Sequence, residues 1–203
     1  MHLRPFGPHA LLAEVADATE ALALAAWARH TGLVVTDVVP AAGTVLFDGL
    51  APDEAASLRS RLATWNPPKA GGAAPPETRL VEVPVDYDGP DVAFVAEQWG
   101  TDVEGVVARH TGTDFVSAFC GFAPGFAYLT GLPDGLAVPR LDSPRAAVPA
   151  GAVALAGAWC GVYPTASPGG WRILGHTDVS LWDATRSDPA LLAPGTRVRF
   201  VRA

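Results

Sequence analysis

Between Phe119 and Trp171 the chain sets a glycine or proline every few residues among aromatic rings, with charge nearly absent. The stretch reads FCGFAPGFAYLTGLP and then, after Asp134-Gly-Leu-Ala, VPRLDSPRAAVPAGAVALAGAWCGVYPTASPGGW. Glycine and proline specify unusual backbone geometry, and aromatic rings offer flat apolar surface. Helix signals vanish from Phe115 onward. Short strand candidates replace them at 115–119, 152–156, 159–163, 172–174, 179–182 and 197–201, separated by turns. That pattern predicts a β-barrel or sandwich carrying a shaped site.

The N-terminal part reads differently. Leu11–Val15 is a strand candidate, and Asp17 and Glu20 have capping-box spacing ahead of a helix over Ala21–His30. Leu33–Val39 and Thr44–Phe47 read as strands, and Pro52 and Asp53 open a second helix ending near Trp65. The order β-α-β-β-α fits a ferredoxin-like split βαβ unit. Asn66–Glu77, NPPKAGGAAPPE, has linker composition, and Arg79–Val85 alternates as a strand does. The expected organisation is α+β: a small α/β domain over 1–66, a linker over 67–78 and a β-rich domain over 79–203.

Two short helices are predicted over Asp91–Trp99 and Thr101–His110, the second with Thr101 and Glu104 at capping-box spacing. The tetrad Arg-His-Thr-Gly ends a helix at 29–32 and again at 109–112. It reads as shared stop chemistry, with glycine permitting a left-handed exit. Residues 95–111 superficially resemble a helix-turn-helix. The would-be recognition helix begins with Asp102 and Glu104, however, and the net charge is −7, so nucleic acid and anionic membrane are poor partners. The longest uncharged window, 146–171, is too broken by proline and glycine for a membrane helix, and 1–20 has no secretory pattern, so a cytoplasmic setting is expected.

Several residues carry candidate chemistry, each beside a plainer reading. Cys120 and Cys160 are either small packed hydrophobes or, for Cys120, a reactive thiol. Ala166–Trp171, ASPGGW, is either a tight barrel turn or an anion-binding nest of backbone N–H groups. Gly121–Phe126, Tyr128 and Pro149–Gly151 are either core and turns or the wall of an apolar pocket. His176 with Asp178 is either a proton-transfer pair or the outward face of a strand. No P-loop, GxSxG elbow or Cys/His zinc spacing occurs.

Taken in order, 122–133, 139–149, 150–157, 161–171 and 191–200 resemble the family of the 5-oxoprolinase B subunit, also called allophanate hydrolase subunit 1 or the KipI family. The likeness spans nearly all of 80–203 and is weaker over 1–66. It implies an N-terminal α/β domain followed by a cyclophilin-like β-barrel domain of carboxyltransferase type. It also implies a heteromer with the family's C subunit (allophanate hydrolase subunit 2-like) and, in 5-oxoprolinase, with a third, A subunit, together opening 5-oxo-L-proline to L-glutamate with ATP. ATP is then bound here or at the partner. No biotin attaches to this chain, whose only methionine is Met1.

The implied chemistry puts negative charge on an amide oxygen. The expected site is a backbone nest at Ser167–Gly170 with Gly125, Phe126, Tyr128, Pro149, Gly151, Tyr163 and Trp171 around the substrate. His176 and Asp178 are the catalytic candidates. His176 stands where relatives frequently have Arg, and Phe119-Cys120 replaces larger apolar residues. The resemblance leaves other functions in view: a carboxyltransferase or allophanate hydrolase-type subunit that works on urea-derived or other amides, and a KipI-like inhibitor of a histidine kinase.

Overall fold

The computed structural model of the chain describes residues 1–67 and 79–203. The expected linker therefore lies, apart from Pro67, outside the described residues. The chain divides into two compact units, residues 1–76 and 77–203.

In the first unit, strands β1 (His2–Pro5), β2 (Ala10–Glu14), β3 (Asp37–Pro40) and β4 (Thr44–Asp48) form one antiparallel sheet in the order β1-β2-β4-β3. Helices α1 (Ala18–His30) and α2 (Pro52–Ala63) accompany it. The β-α-β-β-α order is present, with a leading strand, β1, that the sequence reading missed. The strand beside β2 thus comes from before the first helix rather than after the second, where a ferredoxin-like unit would supply it.

Asp17 caps α1 by accepting from the Glu20 N–H at 2.9 Å, and the Glu20 carboxylate accepts from the Ala16 N–H at 2.8 Å, the reciprocal pair that the spacing predicts. Leu11, Leu24, Val45, Phe47, Leu58 and Leu62 form the core. Each comes from the apolar phase of a strand or one helix face.

The second unit is built on a seven-stranded sheet in the order β12-β9-β10-β7-β6-β13-β5. Its members are β5 (Leu80–Val85), β6 (Phe115–Cys120), β7 (Ala127–Thr130), β9 (Ala152–Ala156), β10 (Trp159–Val162), β12 (Arg172–His176) and β13 (Arg197–Arg202). Only the β13–β5 pairing is parallel. Asp86, just past β5, exchanges two backbone hydrogen bonds of 2.9 Å with His176 at the end of β12, so the two edges of the sheet meet and the barrel is nearly closed. A two-stranded ribbon, β8 (Arg145–Val148) with β11 (Ser167–Gly169), lies outside this sheet. Val81, Val83, Val85, Phe115, Leu155, Leu174 and Phe200 fill the barrel, joined by Val95 from α3 (Val92–Gln98), Trp99 at its C-terminal cap and Val106 from α4 (Val103–Thr111).

Three local expectations are corrected. Residues 179–182 form no strand, since only Trp182 bridges, to Ala190. The cap of α4 is Asp102, accepting from the Gly105 N–H at 2.8 Å, rather than Thr101, and Glu104 instead meets Arg202 at 2.8 Å. Gly32 leaves α1 at φ +63°, but Gly112 leaves α4 at φ −79°, so the second tetrad does not use the left-handed exit.

Candidate functional site

One side-chain cluster in the second unit, apart from the barrel core, is largely aromatic. The ring of Phe126 sits edge-on to Tyr128, Phe122, Tyr163 and Trp171, with centroids 5.0, 5.3, 5.4 and 5.5 Å away. Such pairs contribute about 0.5–1.5 kcal/mol each beyond area burial. Tyr128 on β7 and Phe126, Tyr163 and Trp171, which flank β7, β10 and β12, pack in a cluster separate from the one that fills the barrel. Between them lies an open cavity of about 510 Å³, lined by the rings of Phe122, Phe126, Tyr128, Trp159, Tyr163 and Trp171 and by Arg140. That volume suits a small ligand.

Glycines and one strained residue shape the walls. Gly169 lies against the Tyr163 hydroxyl, leaving no room for a Cβ. Gly125 takes φ +87° with Trp182 and Leu181 behind it. Phe122 also has positive φ, +71°, the only non-glycine residue among those described to do so, and its ring is 62% exposed at the mouth. A bulky residue held there stores strain, a frequent mark of a functional loop. Burial raises the pKa of Tyr163, opposed by the nearby Arg140 charge, so the phenol stays protonated and can donate at neutral pH.

Of the expected substrate-binding residues, Phe126, Tyr128, Tyr163, Gly169 and Trp171 line the cavity. Gly125 backs the wall turn. Pro149 and Gly151 do not line it: the Gly151 N–H donates to Tyr163 O at 2.7 Å, and its carbonyl accepts from Thr177 N at 2.9 Å, so Gly151 is a turn joining two strands. The nest at Ser167–Gly170 is corrected. Ser167–Gly169 is strand β11, paired to β8, and neither Gly169 nor Gly170 has positive φ, so these N–H groups do not converge as a nest requires. Ser167 Oγ is buried with no hydrogen-bond partner among the described residues.

His176 and Asp178 lie elsewhere, in a smaller depression of about 260 Å³ with Asp86 and Val179 that shares no residue with the aromatic cavity. His176 Nδ1 is 2.9 Å from Asp88 Oδ1 and Nε2 is 3.8 Å from Asp86 Oδ2. The hydrogen bond to Asp88, then the Asp88 charge, raise the His176 pKa, and the same hydrogen bond, with the His176 charge, lowers that of Asp88. The backbone of His176 belongs to the barrel seam, while its half-exposed side chain pairs with these exposed carboxylates.

The remaining buried titratable groups lie outside the aromatic cavity. Tyr87 Oη lies 2.7 Å from His110 Nδ1, and His110 Nε2 lies 3.4 Å from Cys160 Sγ, inside the barrel. Burial pushes His110 down to about 3 and raises the pKa of Tyr87 and Cys160. Cys120 is half-buried with its pKa raised by burial, and its thiol points at Leu192 O at 3.6 Å, which suits a packed thiol rather than a reactive one. The sequence reading missed Arg140 and Trp159 as cavity residues. A signal existed: within 119–171 the only charged residues are Asp134, Arg140, Asp142 and Arg145, and a cation in so apolar a stretch needs a reason.

The family described as carboxyltransferase domain, subdomain C and D, matches residues 1–192. Two curated relatives, from Escherichia coli O157:H7 and Bacillus subtilis (strain 168), are both named as the B subunit of 5-oxoprolinase. The first is 49% identical over 132 residues, 64% of this chain and 61% of the relative, and the second 43% identical over 127 residues, 61% and 53%. The chain thus spans little more than half the length of these relatives in the matched region.

Among solved structures, TTHA0988 superposes with a TM-score of 0.80 at 35% identity over 97% of this chain and 40% of that one. PH0987 from Pyrococcus horikoshii, titled a conserved uncharacterized protein, gives 0.59 at 31% over 100% and 97%. The Kluyveromyces lactis urea amidolyase shares the fold, with a TM-score of 0.68 at 17% identity over 99% and 15%. The chain belongs to the carboxyltransferase domain, subdomain C and D, family, as its resemblance to 5-oxoprolinase B subunits, allophanate hydrolase subunit 1 and KipI proteins implied.

Proposed function

We propose that the chain is one component of an ATP-dependent 5-oxoprolinase that converts 5-oxo-L-proline to L-glutamate together with the C and A subunits. The observation that carries this reading is the name shared by relatives 49% and 43% identical to it. The geometry adds a site: we place the lactam in the aromatic cavity. Its flat ring lies among Phe126, Tyr128 and Trp171, and its carbonyl oxygen accepts from the Tyr163 hydroxyl in place of the absent nest. A neutral donor fixed beside a carbonyl stabilises charge developing on its oxygen.

ATP supplies the driving force for opening a resonance-stabilised amide. The cavity does not fit it, since one guanidinium faces three phosphates and the sequence carries no P-loop. We therefore place ATP on another component of the complex, and the chain alone is inactive. The family's carboxyltransferase description supports a second reading, carboxyl transfer to an amide nitrogen with biotin carried by another protein.

The test is to co-express the chain with the C and A subunits and assay glutamate formation from 5-oxo-L-proline with and without ATP. ATP-dependent glutamate release by the complex, absent from the chain alone, is expected. A well-folded complex without turnover overturns the reading. Carboxylation of urea with carboxybiotin would then favour the second.

A further inference from the structure

We infer that Arg140 is a carboxylate-binding residue, and that the ligand of the aromatic cavity is a monoanion carrying one carboxylate on a small flat body. The inference rests on the placement of substrate in that cavity and adds the group that selects it.

Arg140 is the only charged side chain among the described lining residues. The two neighbouring arginines are committed. Arg145 Nη2 is 2.9 Å from buried Asp91, and its Nη1 donates to Trp171 O at 3.3 Å. Arg172 lies 3.6 Å from Asp91, donates to Pro139 O at 3.1 Å, and stacks 3.7 Å over Phe94. Among the described residues Arg140 has no such partner: no carboxylate lies within 4.0 Å of it and no hydrogen bond occupies its guanidinium.

Its backbone, in contrast, is pinned on both sides. The carbonyl of Pro139 accepts from Arg172 Nε, and the Leu141 N–H donates to Gly170 O at 2.8 Å. Gly170 presents only backbone to the guanidinium; a Cβ there would stand 3.8 Å from Arg140 Nε and Nη2. The backbone that carries Arg140 is thus held beside a largely apolar cavity, while its exposed guanidinium has no protein counterion among the described residues, in a chain of net charge −7. An anionic ligand supplies the missing charge.

Carboxylate fits better than phosphate. A guanidinium matches one carboxylate in a planar, bidentate pair. A phosphate dianion would be half neutralised, and Gly169 and Gly170 do not have the left-handed backbone of an anion nest. The aromatic rings hold the flat remainder of the ligand, and 5-oxo-L-proline has both parts.

The test pairs kinetics with direct binding. In the assembled three-component enzyme, Arg140→Gln should raise KM for 5-oxo-L-proline about 10- to 100-fold, the usual worth of a charged hydrogen bond. It should leave kcat within about threefold, with Arg140→Lys recovering part of the loss. Turnover with KM unchanged in Arg140→Gln overturns the role of Arg140 and leaves the 5-oxoprolinase reading standing.

Binding to the full chain is measured separately by calorimetry with two pairs, 5-oxo-L-proline against its carboxamide and benzoate against benzamide. The acid of at least one pair should bind wild type more tightly, by a margin that shrinks with added salt and disappears in Arg140→Gln. Equal affinity within both pairs, or none for any probe, overturns the inference whether or not the enzyme turns over 5-oxoproline.

Discussion

Asp86 and His176 exchange a pair of 2.9 Å backbone hydrogen bonds across the gap between β5 and β12, and that exchange brings the two edges of the barrel sheet together. The seam is tight because Gly175 has no side chain: a Cβ there would overlap the Asp86 carbonyl. Gly175→Ala should therefore destabilise the second unit by about 1–3 kcal/mol, the usual cost of overpacking. Gly135→Ala, where nothing lies within 4 Å, should stay within about 0.5 kcal/mol. Urea unfolding of the two variants measures the contrast, and equal effects would mean that the seam tolerates a side chain.

His110 makes the barrel acid-sensitive. It is fully buried, and its pKa falls from 6.5 to about 3. Between those values the unfolded chain binds a proton that the folded chain refuses, so stability falls as pH drops through this window. Between pH 6.5 and 5, above most carboxylate titrations, the wild-type slope should exceed that of His110→Gln by up to about 1.4 kcal/mol per pH unit. The raised pKa of His176 acts in the opposite sense but is common to both proteins and cancels. Denaturant midpoints across this range read the difference, and parallel curves would contradict the burial argument.

Asp91 joins three elements. Its carboxylate accepts from Ile173 N at 2.7 Å and from Arg145 at 2.9 Å, while Arg172 stands at 3.6 Å. Asp91→Ala leaves a partly buried cation and a buried N–H without partners, a loss of about 3–5 kcal/mol. The change should also loosen the cavity wall, because Arg145 holds Trp171 O. Chemical unfolding checks the first effect, and Trp171 indole shifts in NMR spectra check the second.

Much of the barrel was legible because its signals are local. The apolar alternation of Leu80–Val85 and the uncharged Ala152–Ala156 mark β5 and β9. The cap of α1 was visible in the Asp17–Glu20 spacing. Strand β1, HLRP, was not, since a mostly exposed edge strand needs no apolar period. The aromatic half of the site could be read from composition. The error at Ser167–Gly170 came from treating glycine as evidence of a turn. Gly169 serves a close approach instead, letting the Tyr163 hydroxyl reach the backbone of an extended strand. His176 drew attention as a neutral-pH titrating group, but only the pairing of distant edges shows its seam role.

Phe122 should trade stability against binding. Its φ of +71° costs a phenylalanine about 1–3 kcal/mol, and its ring is largely exposed. Phe122→Gly should leave stability unchanged or raise it by up to about 1 kcal/mol, after the entropic cost of glycine, while weakening ligand affinity. Thermal melts beside calorimetric titration of 5-oxo-L-proline test both halves, and tighter binding by the glycine variant would contradict the assignment of this ring to the cavity mouth.

The claim that the aromatic cavity, rather than the His176 face, is the reacting site is tested most directly by kcat/KM for ATP-dependent glutamate release in the assembled enzyme. Tyr163→Phe should lower it by about 100-fold or more, the scale of losing one preorganised donor, while His176→Ala and Asp178→Ala remain within about threefold in folded complexes. Full activity in Tyr163→Phe together with a collapse in either of the other two would contradict the account.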